Sequence, residues 1–268
     1  MTKLKELECF VFDMDGTVYL GEEVIPGAIE LLDEIERQGK RFFFFTNNSS
    51  KSPMSYVEKL IRLGFHDIGR DKILTSGDVM IDFLKKLYPA PKIYLSGTPS
   101  LMEQFEASGI ILVPEGEYDV DACVLGFDTT FDFKKADNIC KLVTKGIPFY
   151  ATNIDRVCPL EGGAFIPDCG SMSKMIEHAT GIGPKFVGKP FKETIDYVLS
   201  YTGLSRDKVC IVGDRLYTDI ATGNNGGITS IGVLSGEMTL EDIESQDEIH
   251  VDILYDSVMD MLEELRNE

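Results

Sequence analysis

Residues 9–17 read Cys9-Phe10-Val11-Phe12-Asp13-Met14-Asp15-Gly16-Thr17. The apolar run Cys9-Phe10-Val11-Phe12 predicts a buried strand. Two carboxylates with one residue between them follow it directly. Like charges so close resist joint ionisation unless a cation or a proton accompanies them. Gly16 then permits a backbone turn closed to most residues. The stretch predicts a strand whose carboxyl end handles a metal ion and a phosphate.

Outward from this strand, short β-branched or aromatic runs alternate with amphipathic helical stretches. That alternation predicts an α/β fold with a mostly parallel sheet. A helix follows Pro26-Gly27, with Ile29, Leu32 and Ile35 at helical spacing and Gly39 as its stop. Arg41–Thr46 contains four consecutive phenylalanines, the pattern of a strand buried on both faces. Asn47-Asn48-Ser49-Ser50 ends it, and Ser52 with Pro53 starts a helix reaching to about Leu63. Beyond Thr75-Ser76-Gly77 the pattern begins again, with strands at 92–95, Ala122–Leu125 and 148–151 and helices between them. Strands at 185–187, 209–212 and Thr229–Val233 are then expected to complete the sheet.

The 268 residues carry a formal net charge of -19, so the surface repels nucleic acid and anionic membranes. An anionic substrate feels the same field, and a phosphate site therefore needs its own local positive charge. The six cysteines form no CxxC pair, and three histidines, widely spaced, argue against a zinc site. The start, Met-Thr-Lys-Leu-Lys-Glu, lacks an apolar h-region, and no stretch approaches membrane-spanning length. The chain reads as cytoplasmic, with no membrane or nucleic-acid partner.

Four polar sets each follow a strand-like run: Asp13 with Asp15, Thr46-Asn47-Asn48, Lys189, and Asp214 with Asp219. Ligands of open α/β sheets bind beyond the carboxyl ends of strands, so sets far apart in sequence converge on one crevice. Asp13, first off its strand, is the candidate nucleophile, able to form an aspartyl-phosphate. Asp15 is the candidate acid and base, although Asp-Gly alone is also a common turn pair. Oxygen ligands from Asp13 and Asp214 suit magnesium, a hard cation that also takes a phosphate oxygen. Asp219, one turn into the next helix, suits a role in orienting waters or Lys189. Thr46 and the amides around Asn47 and Asn48 suit phosphate oxygens, yet Thr-Asn-Asn-Ser alone is an ordinary loop and cap pattern. Lys189, on the stiff turn Gly188-Lys189-Pro190, offers the cation for a transferring phosphoryl group.

Taken in order, these residues resemble the haloacid dehalogenase superfamily. Asp13-Met14-Asp15-Gly16-Thr17 matches its first motif, Thr46 the second, Lys189 the third, and Asp214 with Asp219 the fourth. The resemblance implies a doubly wound, Rossmann-like core, the backbone carbonyl of Asp15 as a further magnesium ligand, and a short flap at 18–24. The separation of Thr46 from Lys189 predicts an inserted domain of roughly 100 residues. We therefore expect a catalytic core at 1–78 and 180–268, and an inserted α/β cap at 79–179.

The stretches DMDGTVYLG (13–21), TNNSS (46–50), VLGFDTTFDF (124–133), ATNID (151–155) and TDIATG (218–223) narrow the resemblance. They are similar to the subfamily of NagD-type phosphatases, 4-nitrophenylphosphatases and pyridoxal-phosphate phosphatases. In that subfamily the cap supplies a substrate-selecting loop after the ATNxD segment, here 155–163, with Asp155, Arg156 and Cys158. Cys158 stands where some vertebrate members carry a histidine, so their substrate preference does not transfer. Arg156 suits a second anionic group on the substrate, and equally a solvated surface charge. A homodimer through the cap is common in the family. The expected activity is magnesium-dependent hydrolysis of a small phosphomonoester. A phosphotransferase or mutase on the same scaffold is the first alternative, and a non-enzymatic phospho-receiver the second.

Overall fold

Cys9–Phe12 is buried along its whole length because it lies inside a sheet rather than at its edge. In the computed structural model, which describes residues 4–160 and 163–267, it pairs in parallel on both sides. Phe12 is in register with Val212 on one neighbour and with Phe44 on the other. The six strands run in the order Ile253–Tyr255, Thr229–Val233, Val209–Gly213, Cys9–Phe12, Arg41–Thr46, Ile73–Thr75. Shared direction and register bring the carboxyl ends of the central strands level.

The two faces of this sheet explain the consecutive phenylalanines. Phe10, Phe12, Phe42 and Phe44 point to one side, into a core with Leu31, Ile35, Met261 and Leu265 of helices Ala28–Arg37 and Val258–Asn267. Phe43 points the other way, and its ring meets Tyr201 of helix Lys192–Thr202 edge-on at 5.5 Å. Strands covered on both sides have no polar face, so hydrophobicity runs continuously instead of alternating. Each large side chain so buried contributes about 1.5–3 kcal/mol.

Clustering of the chain gives two compact units. The first comprises Met1–Thr46, Pro53–Leu74 and Lys189–Glu268; the second comprises Asn47–Ser52 and Thr75–Gly188. The second has its own parallel sheet, in the order Lys185–Phe186, Phe149–Ala151, Ala122–Leu125, Lys92–Ser96, Ile111–Leu112. Cys123, Leu125 and Phe127 form its core with Ile139, Leu142 and Ile176. An antiparallel pair, Val157–Pro159 with Phe165–Pro167, adds a separate hairpin.

The strand expected at 185–187 forms, but in the other sheet. Lys185 pairs with Tyr150 and Phe186 with Ala151, and Gly188 N–H donates to the Thr152 carbonyl at 3.0 Å. The ladder thus holds the chain in the second unit up to Gly188. The stretch 79–179 expected as an insertion lies within this unit, which also takes Asn47–Ser52, residues 75–78 and the residues up to Gly188.

Cys9, Cys123 and Cys210 are buried, as their apolar surroundings predict, and no disulfide joins cysteines among the described residues. Among the described residues no helix is long and apolar enough to cross a membrane.

Candidate active site

The ladder between the first strand and Val209–Gly213 continues one residue, with Asp13 N–H donating to the Val212 carbonyl at 2.8 Å. Asp13 therefore leaves the sheet beside Gly213 and the Asp214 that follows. Lys189 reaches the same point, with Nζ 2.5 Å from Asp13 Oδ1, 2.6 Å from Asp219 Oδ1 and 3.4 Å from the Phe45 carbonyl. Burial by itself lowers the pKa of this ammonium, but the charges of Asp13 and Asp219 outweigh it and push it above the usual lysine range.

Asp219 is carried back to Lys189 by a wide π-helical turn, Leu216–Ile220, in which Ile220 N–H bonds the Arg215 carbonyl. Such turns concentrate at functional sites. The other oxygen of Asp219 accepts from the Arg215 N–H at 3.1 Å. Gly213 makes this close approach feasible, since a Cβ there would lie 2.3 Å from the Asp219 carboxyl carbon.

Asp214 accepts from the Thr17 hydroxyl at Oδ1, 3.0 Å, and from the Glu237 N–H at Oδ2, 2.8 Å. Burial pushes its carboxyl above the usual range, and the charge of Asp13 pushes it further. Asp219 is raised by burial and by Asp13 and Asp214, against the pull of Lys189. Asp13, Asp214 and Asp219 each offer an oxygen within 4.8 Å of the others. One ammonium leaves this trio with surplus negative charge, which is the condition a hard cation satisfies. Both oxygens of Asp219 are engaged, by Lys189 Nζ and the Arg215 backbone N–H, and Asp13, Asp214 and Asp219 together are the carboxylates that could hold a hard cation.

Asp15 is exposed at the turn after the strand, where Gly16 N–H bonds the Tyr19 carbonyl at 2.7 Å. Its carboxyl is nonetheless raised by the surrounding protein, with Asp13 adding to the effect and Lys59 opposing it. Gly16 has φ +86°, and a Cβ on it would lie 2.3 Å from Asp214 Oδ2. Gly16→Ala is expected to cost about 1–3 kcal/mol in stability, since it adds backbone strain even before Asp214 is displaced. Thermal or urea unfolding measures this, and a variant as stable as the parent contradicts it.

Thr46 is buried at the end of its strand in the first unit. Asn47 and Asn48, grouped with it by sequence, belong to the second unit. Asn47 Nδ2 donates to Asp155 Oδ2 at 2.9 Å, and its carbonyl accepts from the Ser76 hydroxyl at 2.6 Å and from Asn153 Nδ2 at 2.9 Å. Asn48 Oδ1 accepts from the amide and hydroxyl of Ser50, and its Nδ2 lies 3.9 Å from Cys158 Sγ. Asp155 is buried, Cys158 half-buried and Arg156 exposed. Two residues of the expected substrate loop, 161 and 162, lie outside the described residues.

Four residues around Asp214 had no role assigned from the motifs: Thr17 and the Glu237 N–H bond its carboxylate, Arg215 follows it in the chain, and Ser235 bonds the Gly16 carbonyl. Thr17 was within the quoted stretch but had no role; Arg215 adjoins Asp214; Ser235 and Glu237 lie beyond a predicted strand. The usable signal for the last two was their place after the carboxyl end of Thr229–Val233.

A haloacid dehalogenase-like hydrolase family model matches residues 10–111, and a HAD-hydrolase-like model matches residues 186–261. Glycerol-3-phosphate phosphatase of Rattus norvegicus is 33% identical over 98% of this chain and 92% of its own length. The crystal structure of a 4-nitrophenylphosphatase from Thermotoga maritima superposes with a TM-score of 0.91 at 39% identity, covering 97% of this chain and 98% of that one. A glycerol phosphate phosphatase from Mycobacterium tuberculosis, solved in complex with magnesium, has a TM-score of 0.89 at 27% identity and covers 100% of this chain and 80% of that one.

Proposed function

The chain belongs to the haloacid dehalogenase-like hydrolase family and is a phosphatase of small phosphorylated substrates, and from that premise we propose that it works through a phosphoaspartyl enzyme with bound magnesium. The observation that carries this reading is the Lys189 ammonium held by both Asp13 and Asp219, with Asp214 alongside.

Asp13, Asp214 and the Asp15 carbonyl would hold magnesium, which would offset the repulsion between these carboxylates and a phosphate dianion. Asp13 attacks phosphorus through a carboxylate oxygen, and the bond from phosphorus to the ester oxygen breaks. Asp15, its pKa raised, gives its proton to the departing alcohol oxygen. Then Asp15, now ionised, takes a proton from water, whose oxygen attacks phosphorus and releases Asp13 and inorganic phosphate. Thr46 and Lys189 hold the phosphoryl oxygens, with the amides of Asn47 and Asn48, and Asp219 keeps Lys189 in place. Choice of substrate we assign to 155–163, where Asp155, Arg156 and Cys158 lie.

A panel of small phosphomonoesters, including glycerol phosphate and 4-nitrophenyl phosphate, tests this reading. Turnover is expected to fall roughly 100-fold or more on chelation of divalent ions and to return with magnesium. Undiminished hydrolysis after complete chelation contradicts the metal-dependent mechanism.

A further inference from the structure

The segment Leu234-Ser235-Gly236-Glu237-Met238 follows the strand Thr229–Val233 and closes on Asp214 at several points. Its backbone donates twice, from Glu237 to Asp214 Oδ2 at 2.8 Å and from Met238 to the Asp214 carbonyl at 2.7 Å. Its side chains tie it down on either side. The Ser235 hydroxyl donates to the Gly16 carbonyl at 2.8 Å, and Glu237 Oε2 lies 2.9 Å from Arg215 Nε. Gly236 leaves no slack, because a Cβ there would sit 1.9 Å from Asp214 Oδ2.

We propose that this segment, with Arg215, is a clamp that aims the Asp214 carboxylate at the cation, making Ser235, Glu237 and Arg215 positioning residues. The inference rests on the metal-dependent reading above. Thr17 and the Glu237 amide each occupy one acceptor site on a different oxygen of Asp214, so the remaining lone pairs have a set direction. A ligand held in its binding geometry loses less freedom when the ion arrives. Glu237 has a second effect. The Arg215 guanidinium feels the charges of Asp13 and Asp219, for which it would compete with a metal ion. Its ion pair with Glu237 holds Nε away from that competition.

Glu237 is half exposed, and such an ion pair adds little to folding, so the variant should remain folded. Binding of manganese to the substrate-free protein, followed by electron paramagnetic resonance or calorimetry, provides a reading independent of turnover. Glu237→Gln and Ser235→Ala are each expected to weaken manganese binding about 10- to 100-fold, the range for groups that orient metal ligands. Their unfolding midpoints without metal should match the parent. The activity defect should appear in the magnesium concentration required, and diminish at saturating metal. Affinities equal to the parent in both variants overturn the proposal, as does weakened binding that only accompanies a lowered unfolding midpoint. Failure of the parent itself to bind manganese overturns the metal-dependent reading, which separates that failure from this one.

Discussion

Asp13→Asn is expected to lower kcat by roughly 10,000-fold or more, the scale on which a covalent enzyme responds to loss of its nucleophile. Stability should not fall with it. Asp13 shares a small volume with Asp214 and Asp219 against the single ammonium of Lys189, and both buried carboxylates are pushed upward in pKa by its charge. An amide keeps the shape of Asp13 and removes one charge from that crowd, and Asp219 still holds Lys189 at 2.6 Å. An inactive protein with an unfolding midpoint equal to or above the parent's is therefore the expected result. Trapping with acid and mass spectrometry should find a phosphorylated aspartate in the parent alone. Retention of most activity in Asp13→Asn removes the nucleophile assignment.

Lys189→Met should be costly in a different way. Both partners of the inner ion pair are sequestered, Lys189 at 2% exposure and Asp219 at 0%, so removal of the cation leaves a carboxylate without compensation. Breaking one side of such a pair typically costs about 3–5 kcal/mol. Loss of a group that stabilises the transferring phosphoryl adds roughly 100- to 1,000-fold in turnover. Urea unfolding of Lys189→Met/Asp219→Asn separates the two effects. The double variant removes both charges and should regain most of the stability while remaining inactive. A double variant as unstable as Lys189→Met would show that the pair is not the source of the cost.

The core of the candidate site could be proposed from the sequence because its signals are local. Asp13, Thr46 and Asp214 each stand at the end of an apolar strand, the place where open α/β sheets bind ligands, although Thr46 by itself also fits an ordinary loop and cap. The hydrophobic pattern also identified Cys9–Phe12 and Arg41–Thr46 as buried strands, which is how they lie apart from the exposed Arg41. The partners of Asp214 were far less visible. Ser235 and Glu237 are ordinary loop residues by composition, and only the fold brings the Glu237 amide to Asp214 and the Ser235 hydroxyl to the Gly16 carbonyl beside it. Asn47 shows the same limit. Nothing in Thr-Asn-Asn-Ser tells that Thr46 sits in one unit and Asn47 in the other, bound to Ser76, Asn153 and Asp155.

The strand at Lys185–Phe186 draws the line between the two kinds of information. Periodicity and residue type sufficed for the α/β class, for most strands and for the acidic and basic residues of the motifs, because adjacent residues carry those signals. Which sheet a short strand joins depends on pairing with residues far along the chain, and Lys185 found Tyr150 rather than a partner in the first sheet. Register, crossover and the close approach of Gly16, Gly213 and Gly236 to the buried carboxylates are set by such distant contacts. They emerge only when the whole chain is folded, since no local pattern encodes the length of the loop or the position of its far end.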